Sequence, residues 1–253
     1  MKTDMTKQKN ISESMFRPLR KQRYSDQIAE LIQKKILEDS LEIGTSLPSE
    51  KDMATEFGVS RSVIREALRI LEMSGLVDIR KGPTGGIFVT NVYHEPIKRS
   101  LSNMIISGEI TIEHLFDARM LIEPRIAREA ALHARREDLR KLRDLFNDSQ
   151  AHIDDPVHLK QNNLRFHLLL ARASGNPVLS LLLESVIELL VERIMDFVDL
   201  SLEQHFLEIH QEIFQVIVDK KPDEAEKLIK ADIQNVNQKI SDFKKRLKAD
   251  FAR

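Results

Sequence analysis

Residues 58 to 77, GVSRSVIREALRILEMSGLV, constrain the fold more than any other stretch, because they carry a start, a stop and a sidedness at once. At 100° per residue, Ile64, Ala67, Leu68 and Leu71 fall in one narrow arc of a helix, and Ser62, Arg65 and Arg69 lie roughly opposite. One face is therefore for burial and the other is exposed and basic. Two arginines four positions apart gain nothing from each other in water, so the basic face asks for a partner outside the helix.

The flanking sequence supplies a frame for that helix. Ser25 precedes DQIAELIQKKILE, in which Ile28, Leu31, Ile32, Ile36 and Leu37 recur at helical spacing. Gly44 ends a short connector, Pro48 is expected in the first turn of a second helix over KDMATEF, and Gly58 closes that helix in a tight turn. Ser60 is placed to cap the helix that follows. Helix, three-residue turn, helix is the arrangement that carries a recognition helix into a DNA groove. After Gly75 the period becomes alternating, with LVDIR, then KGPTGG, then IFVTNV, which reads as a β-hairpin wing. Its tip offers Arg80, Lys81 and the unshielded backbone amides around Gly82, Gly85 and Gly86.

The stretch LPSEKDMATEFGVSRSVIREALRILEMSGLVDIRKGPTGGIFV resembles the winged helix-turn-helix of the GntR family of bacterial transcription regulators. The resemblance covers about 65 residues. It implies DNA contacts at Lys51 on the second helix, at Ser60, Arg61, Ser62 and Arg65 on the recognition helix, and at Lys81 and Gly82 on the wing. Glu66 is better read as a solvated helix position or an intramolecular partner for a nearby arginine.

Composition limits the rest. In 253 residues there is no Cys and no Trp, and aromatic residues make up only 5%, while Leu, Ile, Glu, Lys and Arg dominate; this is the make-up of a mainly α-helical chain without disulfides. The most apolar run, VLSLLLESVIELLVERIMDFV, is interrupted by Glu184, Glu188 and Glu192 at four-residue spacing, so it reads as a helix with one wet edge and not as a membrane span. The first residues are too polar for a secretion signal, and a cytoplasmic protein is the expectation. The net charge is -1, but residues 1 to 23 carry seven Lys and Arg against Asp4 and Glu13, leaving +5 on what reads as a basic flexible arm, either a plain tail or a segment that approaches phosphates.

Beyond residue 93 seven helical segments are expected, at about 95 to 107, 111 to 134, 136 to 151, 156 to 173, 177 to 199, 202 to 220 and 222 to 249, separated by Gly108, Pro156, the run Ser174 to Pro177, and Pro222. Their apolar stripes predict an antiparallel helical bundle. The domain plan is thus an arm at 1 to 23, a winged helix-turn-helix at 24 to 92, and an all-helical effector-binding and dimerisation domain at 93 to 253.

Three stretches of this half, LFDARMLIEPRIAREAA, FHLLLARASGNPVL and HQEIFQVIVDKKPDEAEKLI, resemble the C-terminal ligand-binding domain of the FadR branch of the same family. The resemblance implies one divalent metal (zinc, nickel or manganese) held at Asn163, His167, His210 and Asp232. Asn stands where the family commonly has an aspartate and Asp where it has a histidine, so the set keeps one carboxylate. The alternative is a metal-free polar network of buried Asn and His. The resemblance further implies that Arg119 points into the cavity to grip a carboxylate effector; the plain alternative is a surface salt bridge with Asp117 or Glu123. His94, His114, His133, His152, His158 and His205 read as surface or packing residues. The whole predicts a homodimeric regulator, not an enzyme, that binds an inverted-repeat operator and senses a small organic acid. A metal sensor, an acyl-thioester sensor and, more remotely, a metal-dependent enzyme are the competing readings.

Overall fold

The computed structural model describes residues 23 to 82, 85 to 194 and 198 to 250. Residues 1 to 22 of the basic arm, and positions 83 and 84 of the KGPTGG loop, lie outside the described residues. The chain divides into two compact units, residues 1 to 91 and 92 to 253.

The first unit begins with α1 (Tyr24–Glu38), which buries Ile28, Ala29, Ile32 and Ile36. Arg23 stands at its cap position and Ser25 lies buried inside the first turn, and one expectation is corrected: Leu31 and Leu37 of the apolar pattern stand in solvent, because α1 meets its neighbours along a narrower stripe than that pattern covers. A two-residue strand, β1 (Ser46–Leu47), leads to α2 (Glu50–Phe57). Ser49 caps α2 by accepting from the Asp52 amide at 3.2 Å, so Pro48 precedes the cap instead of occupying the first turn. Gly58 takes φ 65°, a left-handed turn that a Cβ would strain, and releases the chain into α3 (Arg61–Met73).

The α3 helix buries Ile64, Ala67, Leu68 and Leu71, the four positions its sidedness requires. Truncating Ile64 or Leu68 to alanine in such a packed core costs about 2–5 kcal/mol. Ser60 occupies the cap position, but its hydroxyl pairs with Ser62 Oγ at 2.7 Å and caps no helix amide. β2 (Val77–Arg80) and β3 (Gly86–Val89) form the antiparallel hairpin, and β1 adds on the far edge of β3, giving the order β1-β3-β2. The hairpin turn closes through Gly85 N–H donating to Gly82 C=O at 2.9 Å, and a Cβ at Gly85 would collide with the Arg80 carbonyl.

The second unit is a bundle of seven helices among the described residues: α4 (His94–Ile106), α5 (Ile112–His133), α6 (Arg136–Ala151), α7 (Pro156–Ala173), α8 (Pro177–Ile194), α9 (Leu200–Val218) and α10 (Pro222–Asp250). The breaks are chemical. Gly108 and Gly175 adopt positive φ, Asp155 caps α7 with Pro156 at its first position, and Pro222 opens α10. α7 is central, packing on α5, α6, α8 and α9, while α5 runs along α10. Phe116, Ile126, Leu142, Phe166, Leu183 and Ile229 are among the side chains that fill the space between them. No helix among the described residues is long and apolar enough to cross a membrane.

Candidate functional site

On the first unit the exposed start of α3 displays Arg61, Ser62 and Arg65, with Ser60 immediately before it. Lys51 stands exposed in the first turn of α2, and Lys81 and Gly82 are exposed on the wing. Arg65 is not loose: its Nε and Nη2 donate to the two oxygens of Glu50 at 3.2 and 2.8 Å, a two-pronged pair that holds the guanidinium plane across from α2. The Arg65 hydrogen bond, outweighing partial burial, lowers the Glu50 carboxyl below its ordinary range. Arg80 is steadied on the wing by Asp78 at 2.7 Å and by the Phe88 ring, 4.6 Å from its guanidinium carbon. Glu66 pairs with Arg23 at 3.4 Å while half exposed, the second of the two roles read for it.

Inside the bundle a very different set of charges meets. α5 contributes Arg119 and Glu123, α7 His167, α9 His210 and α10 Asp232, all buried. Arg119 is therefore not a surface residue, although the partner it takes is Glu123, through Nε and Oε1. Arg119 Nη2 lies 3.2 Å from His167 Nε2. A guanidinium nitrogen only donates, so His167 Nε2 is the accepting nitrogen and the ring proton sits on Nδ1, 2.6 Å from Glu123 Oε2. That contact is close, yet it lacks the alignment of a hydrogen bond. His167, His210 and Asp232 each bring a donor atom within 4.8 Å of the others, with His210 Nε2 3.5 Å and His167 Nε2 3.8 Å from Asp232 Oδ2.

The electrostatics of the cluster are tense. Burial alone would raise the Glu123 carboxyl, but Arg119 and His167 outweigh it and bring it down to about 2. Burial lowers the His210 imidazole against the pull of Asp232. For Asp232 the raising effect of burial is overcome by His210, His167 and Arg119, and its carboxyl is held low. Two carboxylates against one guanidinium leave an excess negative charge before the histidines are counted. Of six buried side-chain polar atoms without a hydrogen-bond partner among the described residues, five belong here: Glu123 Oε2, His167 Nδ1, His210 Nε2 and both oxygens of Asp232. The three on His210 and Asp232 fit a cation, whose ligands need lone pairs and not protons.

Asn163 stands one helical turn before His167 on α7, half-buried, and gives its amide to Glu203 Oε2 at 3.3 Å. With His210 and Glu203 it lines a small cavity of about 10 Å³, the size of one water. A larger open cleft of about 760 Å³ lies around Arg125, Glu129, His133 and Arg172, away from the cluster, where three arginines face three acids in balance.

Comparison with known proteins decides what this pairing of an exposed basic helix and a charged bundle core belongs to. The family model for bacterial regulatory proteins of the gntR family matches residues 24–89, and the FCD domain matches 114–235. A protein described as the Uxu operon regulator of Haemophilus influenzae is 30% identical over 219 residues, 84% of this chain and 80% of its own. The chain belongs to the GntR family. The HTH-type transcriptional repressor NanR of Klebsiella aerogenes is 27% identical over 237 residues, 91% of this chain and 90% of its own. A solved structure, Streptococcus agalactiae GntR, superimposes with a TM-score of 0.60 at 29% identity, covering 85% of this chain and 99% of that one. This GntR-family chain is thus a DNA-binding transcription regulator with an FCD domain, and its relatives are regulators, not enzymes.

Within that frame, the four residues implied for the metal divide three to one: His167, His210 and Asp232 converge, and Asn163 is tied to Glu203. Glu123 was missed as a site member. The signal was its place four residues after Arg119, which puts both on one face of α5, but a carboxylate there also suits a surface helix pair. His94, expected as surface or packing, is buried with Glu188 3.0 Å from Nε2 and Glu184 3.6 Å from Nδ1, while His152 and His158 stack around Asp148 on the surface.

Proposed function

We propose that this chain is a cytoplasmic homodimer whose affinity for an inverted-repeat operator is controlled by a small organic acid, bound in the bundle beside a divalent metal. The observation that carries the reading is the convergence of His167, His210 and Asp232, buried together with His210 Nε2 and both Asp232 oxygens orphaned. Two imidazoles, one carboxylate and the Asn163 amide oxygen are the donors for zinc, nickel or manganese, with Glu123 outside them, its Oε2 2.6 Å from His167 Nδ1. A bound divalent ion would supply a site of positive charge for a carboxylate. Together with it the cluster changes from an excess of one negative charge to one positive, which an anionic effector then balances.

Arg119 is the second grip on the acid. Its Nη2 and a metal ion call on the same lone pair of His167, so a metal-loaded site leaves the planar fork available to a carboxylate. The same contact is the one observation that favours the metal-free network. On α3, Arg61 and Arg65 with Ser60 and Ser62 face DNA, Lys51, Lys81 and Gly82 reach the backbone, and dimer symmetry is mirrored in the half-sites. The effector acts by differential affinity for DNA-competent and DNA-incompetent dimers.

Elemental analysis of purified protein before and after reconstitution tests the metal. Stoichiometric uptake of a divalent ion is expected, lost in His167→Ala and His210→Ala, with operator binding of both variants retained and their response to acids gone. No uptake by the wild-type protein after reconstitution would leave a polar core network and end the carboxylate-on-metal reading.

A further inference from the structure

A second group of metal-ligating side chains meets at the surface, where α6 ends and α7 begins. Asp148 lies in the last turn of α6, His152 follows four residues later as its C-cap, and His158 stands in the first turn of α7. The chain between them turns sharply. Asp155 N–H donates to His152 C=O at 2.9 Å, and the Asp155 carboxylate caps α7 by accepting from the Val157 and His158 amides, each at 3.0 Å. The turn brings the two imidazoles face to face, with ring centroids 4.0 Å apart and 27° between their planes.

Asp148 is the hub of the group. Its Oδ2 lies 2.7 Å from His158 Nε2 and accepts from Asn162 Nδ2 at 2.8 Å, while its Oδ1 lies 3.5 Å from His152 Nδ1. One donor atom from each of the three residues lies within 4.8 Å of the others. The hydrogen bond from Asn162, and after it that from His158, holds the Asp148 carboxyl below its ordinary range, so a cation meets it as a carboxylate.

A plain contact tying two helix ends would account for His158 alone. His152 does something else: its Nδ1 lies 2.9 Å from the Asp148 backbone carbonyl. A carbonyl only accepts, so Nδ1 carries the proton and the neutral ring keeps its lone pair on Nε2. An imidazole that gives one N–H to a backbone carbonyl and keeps the other nitrogen for a ligand is held as metal-binding histidines are held. All three residues are partly exposed, so water reaches the group.

We propose that Asp148, His152 and His158 form a second divalent-metal site, separate from the cluster in the bundle core. Two imidazole nitrogens and one carboxylate suit zinc, nickel or copper(II) and not magnesium or calcium, which take shells of oxygen. The ion displaces to solvent the proton shared by His158 Nε2 and Asp148 Oδ2, takes its place, and fills its remaining positions with water. It pins the end of α6 to the start of α7. Asn162, which also donates to Ser149 Oγ at 3.0 Å, connects this site to the small cavity beside Asn163.

The test is calorimetric titration of full-length protein with zinc chloride, comparing the wild type with the double variant His152→Ala/His158→Ala. The wild type should take up one zinc ion per chain more than the double variant. His152→Gln, which keeps a donor for the Asp148 carbonyl and loses the ligand nitrogen, should weaken this additional ion by at least about tenfold. Magnesium chloride in excess should leave the additional uptake unchanged. Equal zinc stoichiometry in the wild type and the folded double variant overturns the site, as does undiminished affinity in His152→Gln or displacement of the ion by magnesium. Failure of the core-metal reading is distinguishable: the wild type would then bind a single zinc ion, lost in the surface variant and kept in His167→Ala.

Discussion

The two units of this regulator place arginine in opposite surroundings, and Arg65 and Arg119 show what that does. Both meet a glutamate in a close ion pair, Arg65 with Glu50 and Arg119 with Glu123, but the Arg65 side chain is 62% exposed and that of Arg119 is 2% exposed. The first unit keeps an apolar core of Ile28, Ile64, Leu68, Val77 and their neighbours and carries its charge outside, where a polyanion can reach it. The bundle instead folds eight ionisable side chains into its interior among the described residues: His94, Arg119, Glu123, Lys160, His167, Glu203, His210 and Asp232. Buried charge is costly unless it is paired or bound, and the proposed function gives that cost a purpose in an enclosed ligand.

The largest expected effect tests that difference directly. Arg119→Ala leaves Glu123 charged and buried without its guanidinium, and should destabilise metal-free protein by about 3–5 kcal/mol in urea unfolding. Arg65→Ala breaks a pair in water and should leave the unfolding midpoint where it was. Similar losses in the two variants would erase the contrast.

Acid should separate the units next. The Glu123 carboxyl titrates near 4.5 when unfolded and at about 2 when folded, so its contribution is complete above 4.5 and is lost as the pH falls toward 2. Glu50 is shifted in the same direction but lies in solvent, where the effect on stability is slight. Unfolding of the bundle, followed from about pH 5 to pH 2.5, should steepen with acid, and Glu123→Gln should flatten the curve. A Glu123→Gln variant with the wild-type acid profile would place the loss elsewhere.

These contrasts were unequally legible in the sequence. The seven helices of the bundle could be read because Gly108, Pro156, Gly175 and Pro222 stop helices by backbone geometry, which is local. The α3 face could be read because its four buried residues repeat at one period. β1 could not, since two residues have no period, and it exists only because β3 offers an edge at Phe88 and Ile87. Of the buried site, His167, His210 and Asp232 came into view through resemblance. Glu123, Lys160 and Glu203 did not, because charged residues on helices are normally solvated and nothing local says that four other helices surround α7. The spacing of Lys160, Asn163 and His167 was nevertheless on the page, as one polar stripe on an otherwise apolar face.

On the exposed side the effects should appear in DNA binding and not in stability. Arg61→Ala and Arg65→Ala should each weaken specific operator binding by about 10- to 100-fold at fixed salt with the fold intact, as measured by fluorescence anisotropy. Lys81→Ala on the wing should weaken operator and random DNA alike and reduce the salt slope by about one. If both arginine variants bound the operator like the wild type, α3 would not be the reading helix.

The smallest effect expected is also the one that asks what the exposed ion pair is for. Glu50 holds Arg65 by Nε and Nη2, which fixes the guanidinium plane and leaves Nη1 outside the pair. Glu50→Ala removes a negative charge from beside the DNA face, so binding to random DNA should tighten, by less than about tenfold, because phosphate attraction is independent of sequence. Operator binding should gain less, because an arginine no longer held in one plane reads a base edge less selectively. The ratio of operator to random affinity therefore falls while both affinities hold or rise, and competition titration at one salt concentration measures it. A ratio unchanged in Glu50→Ala would mean that the pair is only a surface contact, and that the two arginines differ in burial but not in being positioned for a ligand.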